Sequence, residues 1–378
     1  MKYDQRKLQL KIIEVCTVFF FCWMFTSCKE EESDQPETVR KVLLVYMAGD
    51  NNLSEESHEK LKAIRQGWKA TQECKILIYQ DATDISPRLL QISDNNTLET
   101  IEEYSTENSA DPDVFRRVIM QARTMYPDAK YNLLIFSHAS GWLPDNTLMD
   151  TQSKSQNKMV LSDNGLGMKL TSFAAAIPHK AFEYIIFETC FMAGIEVAYE
   201  LRDKACYISA SSAEIVSPGF TAIYQKHISE LAYGDPIQFM KEAFAYFDSQ
   251  TGYMRSSTLS VIRTSNLESL AAYVRINCDF SKGVNINDVQ HFDRNGHHLF
   301  ADFEGYYSCL LKTKEQKEEL QHLIDDCVVW KASTPYFIQD YNGFAITQYS
   351  GLTTYIMQEQ YNRLNENYME LEWYKATR

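Results

Sequence analysis

The chain of 378 residues is 45% hydrophobic and 13% aromatic, with 14 Gly and 9 Pro, a make-up that belongs to a folded globular protein and excludes wholesale disorder or a fibrous repeat. Its formal charge of −14 excludes the basic footprint that nucleic-acid binding requires. The length accommodates one large domain or two of ordinary size, and no internal repeat of fixed period is present.

At the N-terminus, Lys2, Arg6, Lys7 and Lys11 against Asp4 and Glu14 precede an apolar run from Val15 to Phe25. A basic start, an apolar stretch too short to span a bilayer and the small pair Thr26-Ser27 read as an export signal. Phe25-Thr26-Ser27-Cys28 resembles the lipobox of bacterial lipoproteins, with Phe25 where Leu is usual. The resemblance makes residues 1–27 a signal peptide and Cys28 the lipidated first residue of the mature chain. Lys29-Glu30-Glu31-Glu32 resembles the sorting signal of surface-exposed lipoproteins in Bacteroides-like bacteria, and reads equally as a solvated tether. Residues 28–40, polar and containing Pro36, form a linker. The location expected is the bacterial outer membrane, on its outer surface. Three of the nine cysteines fall in this leader and lipobox; no C-x-x-C pair occurs among the rest, so zinc and thioredoxin-type readings lack support. Spacing does not fix disulfide pairs.

Val42–Met47 is a short continuous apolar run, the pattern of a strand buried on both faces. Ala48-Gly49-Asp50-Asn51-Asn52 ends it with turn chemistry, and a polar helix follows over Ser54–Gln66. The same alternation recurs: strands are expected at Lys75–Tyr79, Tyr131–Phe136, Tyr184–Phe187 and Cys206–Ser209, and helices at Asp111–Met125, Leu170–Ala176 and Met192–Arg202. Arg88–Glu103 alternates in a manner that suits an antiparallel hairpin. Buried strands alternating with helices give an α/β domain on a mainly parallel sheet over residues 41–262. Downstream, Leu267–Asn277 and Lys312–Ala332 read as helices and Gly343–Met357 as strands, so residues 263–378 are expected to form a C-terminal α/β subdomain.

Sites in such sheets gather beyond the carboxyl ends of the strands. Ser137-His138-Ala139-Ser140-Gly141-Trp142 ends one predicted strand and Glu188-Thr189-Cys190-Phe191-Met192-Ala193-Gly194 ends the next. A Cys and a His at adjacent tips are a nucleophile and base. Singly, Cys190 reads as a core cysteine and His138 as a hydrogen-bonded loop residue; their joint placement favours a site. A helix starting just after Cys190 is expected to aim its N-terminus at the sulfur and favour the thiolate.

Three stretches resemble the clostripain family of cysteine peptidases. Val45–Leu53 looks like its opening strand and turn, His138-Ala139-Ser140-Gly141-Trp142 like its H-G-x-G-W motif, and Glu188–Leu201 like its D-A-C-x-M motif. Ser350–Ile356 and Glu372–Lys375 resemble the tail of Bacteroides-type members. The resemblance implies a caspase-like, mainly parallel sheet flanked by helices. It also implies peptide hydrolysis through an acyl-enzyme on Cys190 assisted by His138, with Gly141 among the oxyanion donors. Glu188 stands where the family has an Asp that helps bind Arg or Lys substrates. Phe220 stands where basic-specific relatives carry an acid, so the pocket is less acidic than theirs and the basic preference is an open expectation. The stretch 143–167 between the two motifs suits a lid or processing site, and the resemblance implies self-cleavage there, at Lys154 or Lys158.

The competing expectation, from a different functional class, is a surface lipoprotein that keeps the fold as a binding module, its activity lost through Ala139, Glu188 and Phe220. Partners expected are protein or peptide substrates and, through the anchor, a membrane. No cofactor is expected: Asp50-Asn51-Asn52 has no EF-hand spacing for calcium, and Gly296-His297-His298 lacks a third ligand at metal-site spacing.

Overall fold

The computed structural model describes residues 39–144, 159–294, 296–339 and 341–378. Strand β1 (Lys41–Gly49) is the apolar run extended at both ends. Val42, Leu44 and Tyr46 pack in one core and Leu43, Val45 and Met47 in another. A strand covered on both faces needs no polar alternation, which is why the run is continuous. Helix α1 (Ser54–Gly67) returns the chain to β2 (Cys74–Ala82), parallel to β1. The hairpin β3 (Ile85–Ile92) and β4 (Leu98–Glu103) adds two antiparallel edge strands. Helix α2 (Pro112–Met125) starts with a proline in its first turn and the Asp111 side chain capping the N–H of Asp113, both strong helix-start signals. It leads to β5 (Lys130–Phe136), on the other side of β1.

A small hairpin, β6 (Leu161–Asp163) and β7 (Leu166–Met168), and helix α3 (Leu170–Ala176) precede β8 (Phe182–Glu188). Helix α4 (Ile195–Glu200) and β9 (Ala205–Ser211) complete the parallel centre of the sheet. Helices α5 (Thr221–Ala232) and α6 (Pro236–Asp248) run to the antiparallel strand β10 (Thr258–Arg263). Then follow α7 (Leu267–Asn277), β11 (Ala301–Asp302), α8 (Phe303–Leu310), α9 (Lys314–Cys327) and β12 (Val328–Ser333). The nine-stranded sheet has the order β12-β10-β9-β8-β5-β1-β2-β3-β4. Two short ladders, β13 (Tyr336–Phe337) with β14 (Phe344–Ala345) and β11 with β15 (Thr353–Thr354), and helices α10 (Asn362–Met369) and α11 (Glu372–Thr377) close the chain. Helices α1, α5 and α6 cover one face of the sheet; α2, α3, α4 and α7 cover the other.

The mainly parallel, helix-flanked sheet is as expected, and three local differences have physical reasons. The expected helix Lys312–Ala332 stops at Cys327, where Val328-Val329-Trp330 favours extended backbone, and β12 pairs with β10, so the C-terminal region extends the first sheet. The stretch Gly343–Met357 supplies strands of only two residues. The helix expected to begin just after Cys190 begins at Ile195; the residues between form a turn that bends back to the sheet, with Ala193 N–H donating to Ser211 O at 3.0 Å.

Candidate active site

Strands β5 and β8 run parallel with Phe136 opposite Glu188. His138 and Cys190 each lie two residues past that pair, so they leave adjacent strands, about 4.8 Å apart, at the same level and with the same parity. Both are half-buried. The next strand over, β1, ends in the turn that carries Asn52. His138 Nε2 and Asn52 Oδ1 are 2.8 Å apart. Since the amide oxygen only accepts, Nε2 is the donor, and in the neutral imidazole this leaves the lone pair on Nδ1. The chain leaves β1 toward β2 on one side while β5 lies on the other, which makes the β1–β5 gap a topological switch point, the usual position of a site in an open α/β sheet.

The two turns touch. Gly141 has φ +63°, and a Cβ there would stand 2.6 Å from Phe191 O and 3.1 Å from the Phe300 ring, so only glycine permits this approach. Phe191 itself has φ +61°, an uncommon conformation for an aromatic residue. Its N–H donates to Ala213 O at 3.0 Å and is thereby removed from the oxyanion donors near Cys190. Ala139 is 2% exposed; its methyl lies in the core.

Glu188 and Phe220 are placed below this surface. Glu188 is 3% exposed, and its Oε1 accepts from Lys60 Nζ at 2.6 Å and from Phe220 N–H at 2.5 Å, while Oε2 accepts from the Tyr224 hydroxyl. Burial pushes the Glu188 carboxyl up; Lys60 opposes this most, with Tyr224 and the Phe220 N–H assisting. Lys60, from α1, is fully buried. It also donates to Pro218 O at 2.9 Å and Thr221 Oγ1 at 3.0 Å, stands 3.1 Å from Glu56 Oε1 and lies 4.6 Å over the Phe136 ring. The Phe220 ring has no solvent exposure and packs on Tyr224, Phe239 and Phe247. Neither Asn52 nor Lys60 stands out in the sequence: one sits in an ordinary turn, the other on a polar helix.

Three of the other thiols are poor nucleophiles. Burial pushes Cys74, Cys278 and Cys327 up to about 12, and Cys206 lies near the start of β9, at the opposite edge of the sheet. His297 Nδ1 is 3.0 Å from the Tyr361 hydroxyl, and no three His, Cys, Asp or Glu among the described residues form a metal-holding group. No helix of the described residues is long and apolar enough to cross a membrane. Cys28, Lys154 and Lys158 lie outside the described residues.

The clostripain family model matches residues 45–374. The fold is similar to an inactive zymogen C11 protease from Parabacteroides distasonis, with 31% identity over 90% of this chain and 99% of that one and a TM-score of 0.77. It is also similar to a secreted C11 cysteine protease from Bacteroides thetaiotaomicron solved with an irreversible peptide inhibitor: 25% identity, 89% and 98% coverage, TM-score 0.77. No curated protein matches the chain.

Proposed function

The chain belongs to the clostripain family of cysteine proteases, and on that premise we propose that it hydrolyses peptides through Cys190 and His138. In this reading His138 Nδ1 takes the Cys190 proton while Asn52 holds the ring from the far side. The sulfur attacks the scissile carbonyl, the amine leaves with the proton from His138, and water then releases the acid and restores the thiol. The Gly141 N–H is the proposed oxyanion donor. The observation that supports the reading is the register that pairs Phe136 with Glu188, two residues before His138 and Cys190, with the turns beyond in contact at Gly141 and Phe191. Peptide substrates fit the inhibitor complex of the B. thetaiotaomicron relative. The test is a thiol-directed peptide probe. Labelling of the wild type that is lost in Cys190→Ala and His138→Ala is expected; wild type unlabelled under every activating condition would instead support a binding module built on the same fold.

The N-terminal reading extends this to location: Cys28 carries lipid and holds the protease on the outer membrane. Cys28→Ala is expected to move the protein from the membrane to the soluble fraction, several acyl chains being needed for stable attachment. Cleavage between β5 and β8, after Lys154 or Lys158, is the proposed activating step, consistent with a zymogen among the similar structures.

A further inference from the structure

Directly beneath the Cys190 tip lies an ion pair that the hydrolysis does not use. The residue that supplies a scissile carbonyl holds its own side chain within a few Å of the attacked carbon. On the face of the sheet shared by α1 and α5, Glu188 stands two residues before Cys190 at the end of β8, the position where the resemblance to the family implies a substrate-binding acid. A solitary buried carboxylate there would bind the ammonium or guanidinium of a basic substrate residue. Here the position is taken. Lys60 Nζ lies 2.6 Å from Glu188 Oε1, and its other polar contacts are Pro218 O, Thr221 Oγ1 and Glu56. Whether the proton sits on the amine or the carboxyl, this pair has no net charge. The chain also closes over it: a Cβ on Gly219, at φ +59°, would stand 2.2 Å from Glu188 Oε1 and 3.2 Å from Lys60 Nζ. The other acid of the neighbouring segment, Glu214, is itself paired with Arg294 at 2.9 Å. Glu56 keeps the residual charge; its side chain is 17% exposed, accepts from Ser217 Oγ and is itself held by Lys60 Nζ at 3.1 Å.

We propose that Lys60 is a specificity determinant, a resident cation that occupies Glu188 in place of a substrate's basic side chain, so that the chain cleaves after uncharged residues and not after Lys or Arg. The proposal rests on the peptidase reading above and names its substrate class. It is tested on the full-length protein, before and after limited trypsin cleavage. The readout is the rate at which peptidyl ketone probes, identical except for Leu, Asn, Lys or Arg beside the reactive carbon, label Cys190, measured by mass spectrometry.

Wild type is expected to react at least tenfold faster with the uncharged probes. Lys60→Met is expected to shift the ratio at least tenfold toward Lys and Arg, and Lys60→Met with Glu188→Gln to reverse that shift. Faster wild-type labelling by the basic probes, or an unchanged ratio in Lys60→Met shown by circular dichroism to be folded, overturns the proposal. Removing one partner of a buried pair is strongly destabilising; should Lys60→Met not fold, the wild-type ratio decides. Labelling by no peptidyl probe while iodoacetamide still alkylates Cys190 overturns the peptidase reading, and the proposal with it, in a pattern distinct from basic preference.

Discussion

Asn52 is the most exposed member of the proposed site and the one whose removal should disturb folding least. Its backbone turn is held without its own side chain: Asn51 Oδ1 accepts from Leu53 N–H at 2.9 Å, and Asn51 Nδ2 donates to Ser162 O at 3.0 Å. The Asn52 amide is therefore available to orient His138. An imidazole without that anchor rotates and exchanges tautomers, so that for part of the time Nδ1 is not the proton acceptor that the proposed mechanism uses. Asn52→Ala is expected to lower kcat roughly 10- to 100-fold with KM within a factor of two, and to leave the melting temperature unchanged. Steady-state kinetics and a thermal melt on the same preparation check this. A loss carried by KM would place Asn52 in substrate binding and not in positioning the base.

At the scale of elements, the hairpin β6–β7 is stitched to the active edge of the sheet. Asn164 N–H donates to Asp50 O at 3.0 Å and Ser140 N–H to Met159 O at 2.8 Å, and Ser109 N–H donates to Asp163 Oδ2 at 2.5 Å. Beside Asp163 lies Asp81 at the tip of β2, 2% exposed, its carboxyl pushed up to about 8 by burial and by the Asp163 charge. Asp163 is raised too, again chiefly by burial. Asp81 Oδ2 and Asp163 Oδ1 have no donor among the described residues, and a proton retained on Asp81 supplies one. A carboxyl raised on folding holds its proton in the native state after the unfolded chain has lost it. Its contribution to stability is therefore complete below about pH 4 and is lost as pH rises through about 8. Stability measured by urea titration is expected to fall by about 4 kcal/mol between pH 5 and pH 8.5 from this source. Asp81→Asn, neutral at all pH and able to donate, should flatten the decline; an equally steep profile in that variant would show that the pair is not its origin. The strands that frame this hairpin were readable from apolar runs such as Val42–Met47, because burial on both faces leaves an unmistakable pattern. The short hairpin was not, since three-residue strands leave no apolar run, and of the late strands only the stretch Gly343–Met357 was readable, their two-residue extent being set by partners such as Ala301 and Asp302 distant in sequence. Lys60 was hidden for a related reason: a helical lysine reads as solvated, and its burial follows from a carboxylate 128 positions away. His138 and Cys190 were legible because both follow apolar runs whose ends mark the sheet edge.

For the whole molecule, the order of strands decides what a cut between β5 and β8 would do. One fragment would carry β1 to β5 and the other β6 to β15, yet β5 and β8 are neighbours in the sheet. Helix α1 of the first fragment also packs on α5 of the second, through the Lys60 Nζ bond to Thr221 Oγ1 at 3.0 Å, the Ser229 Oγ bond to Gly67 O at 3.1 Å and the Trp68–Tyr233 ring contact, and it holds β8 through the buried Lys60–Glu188 pair. The fragments should therefore remain one particle, with His138 and Cys190 on different chains but in the same places. Which protease makes the cut depends on Lys60. If Glu188 is already occupied, this chain is ill suited to cleave after Lys154 or Lys158, and processing there requires a second, basic-specific protease. Purified wild type is expected to stay whole on prolonged incubation. Brief trypsin treatment is expected to give two bands under denaturing conditions, a single species on native gels and at least a tenfold rise in the rate of Cys190 labelling. Lys60→Met, with Glu188 freed, is expected to nick itself at the same residues. Wild type that cuts itself after Lys154 or Lys158, while Cys190→Ala stays whole, would establish self-activation and at the same stroke remove the resident-cation account of specificity, because the two require opposite chemistry beneath the same cysteine.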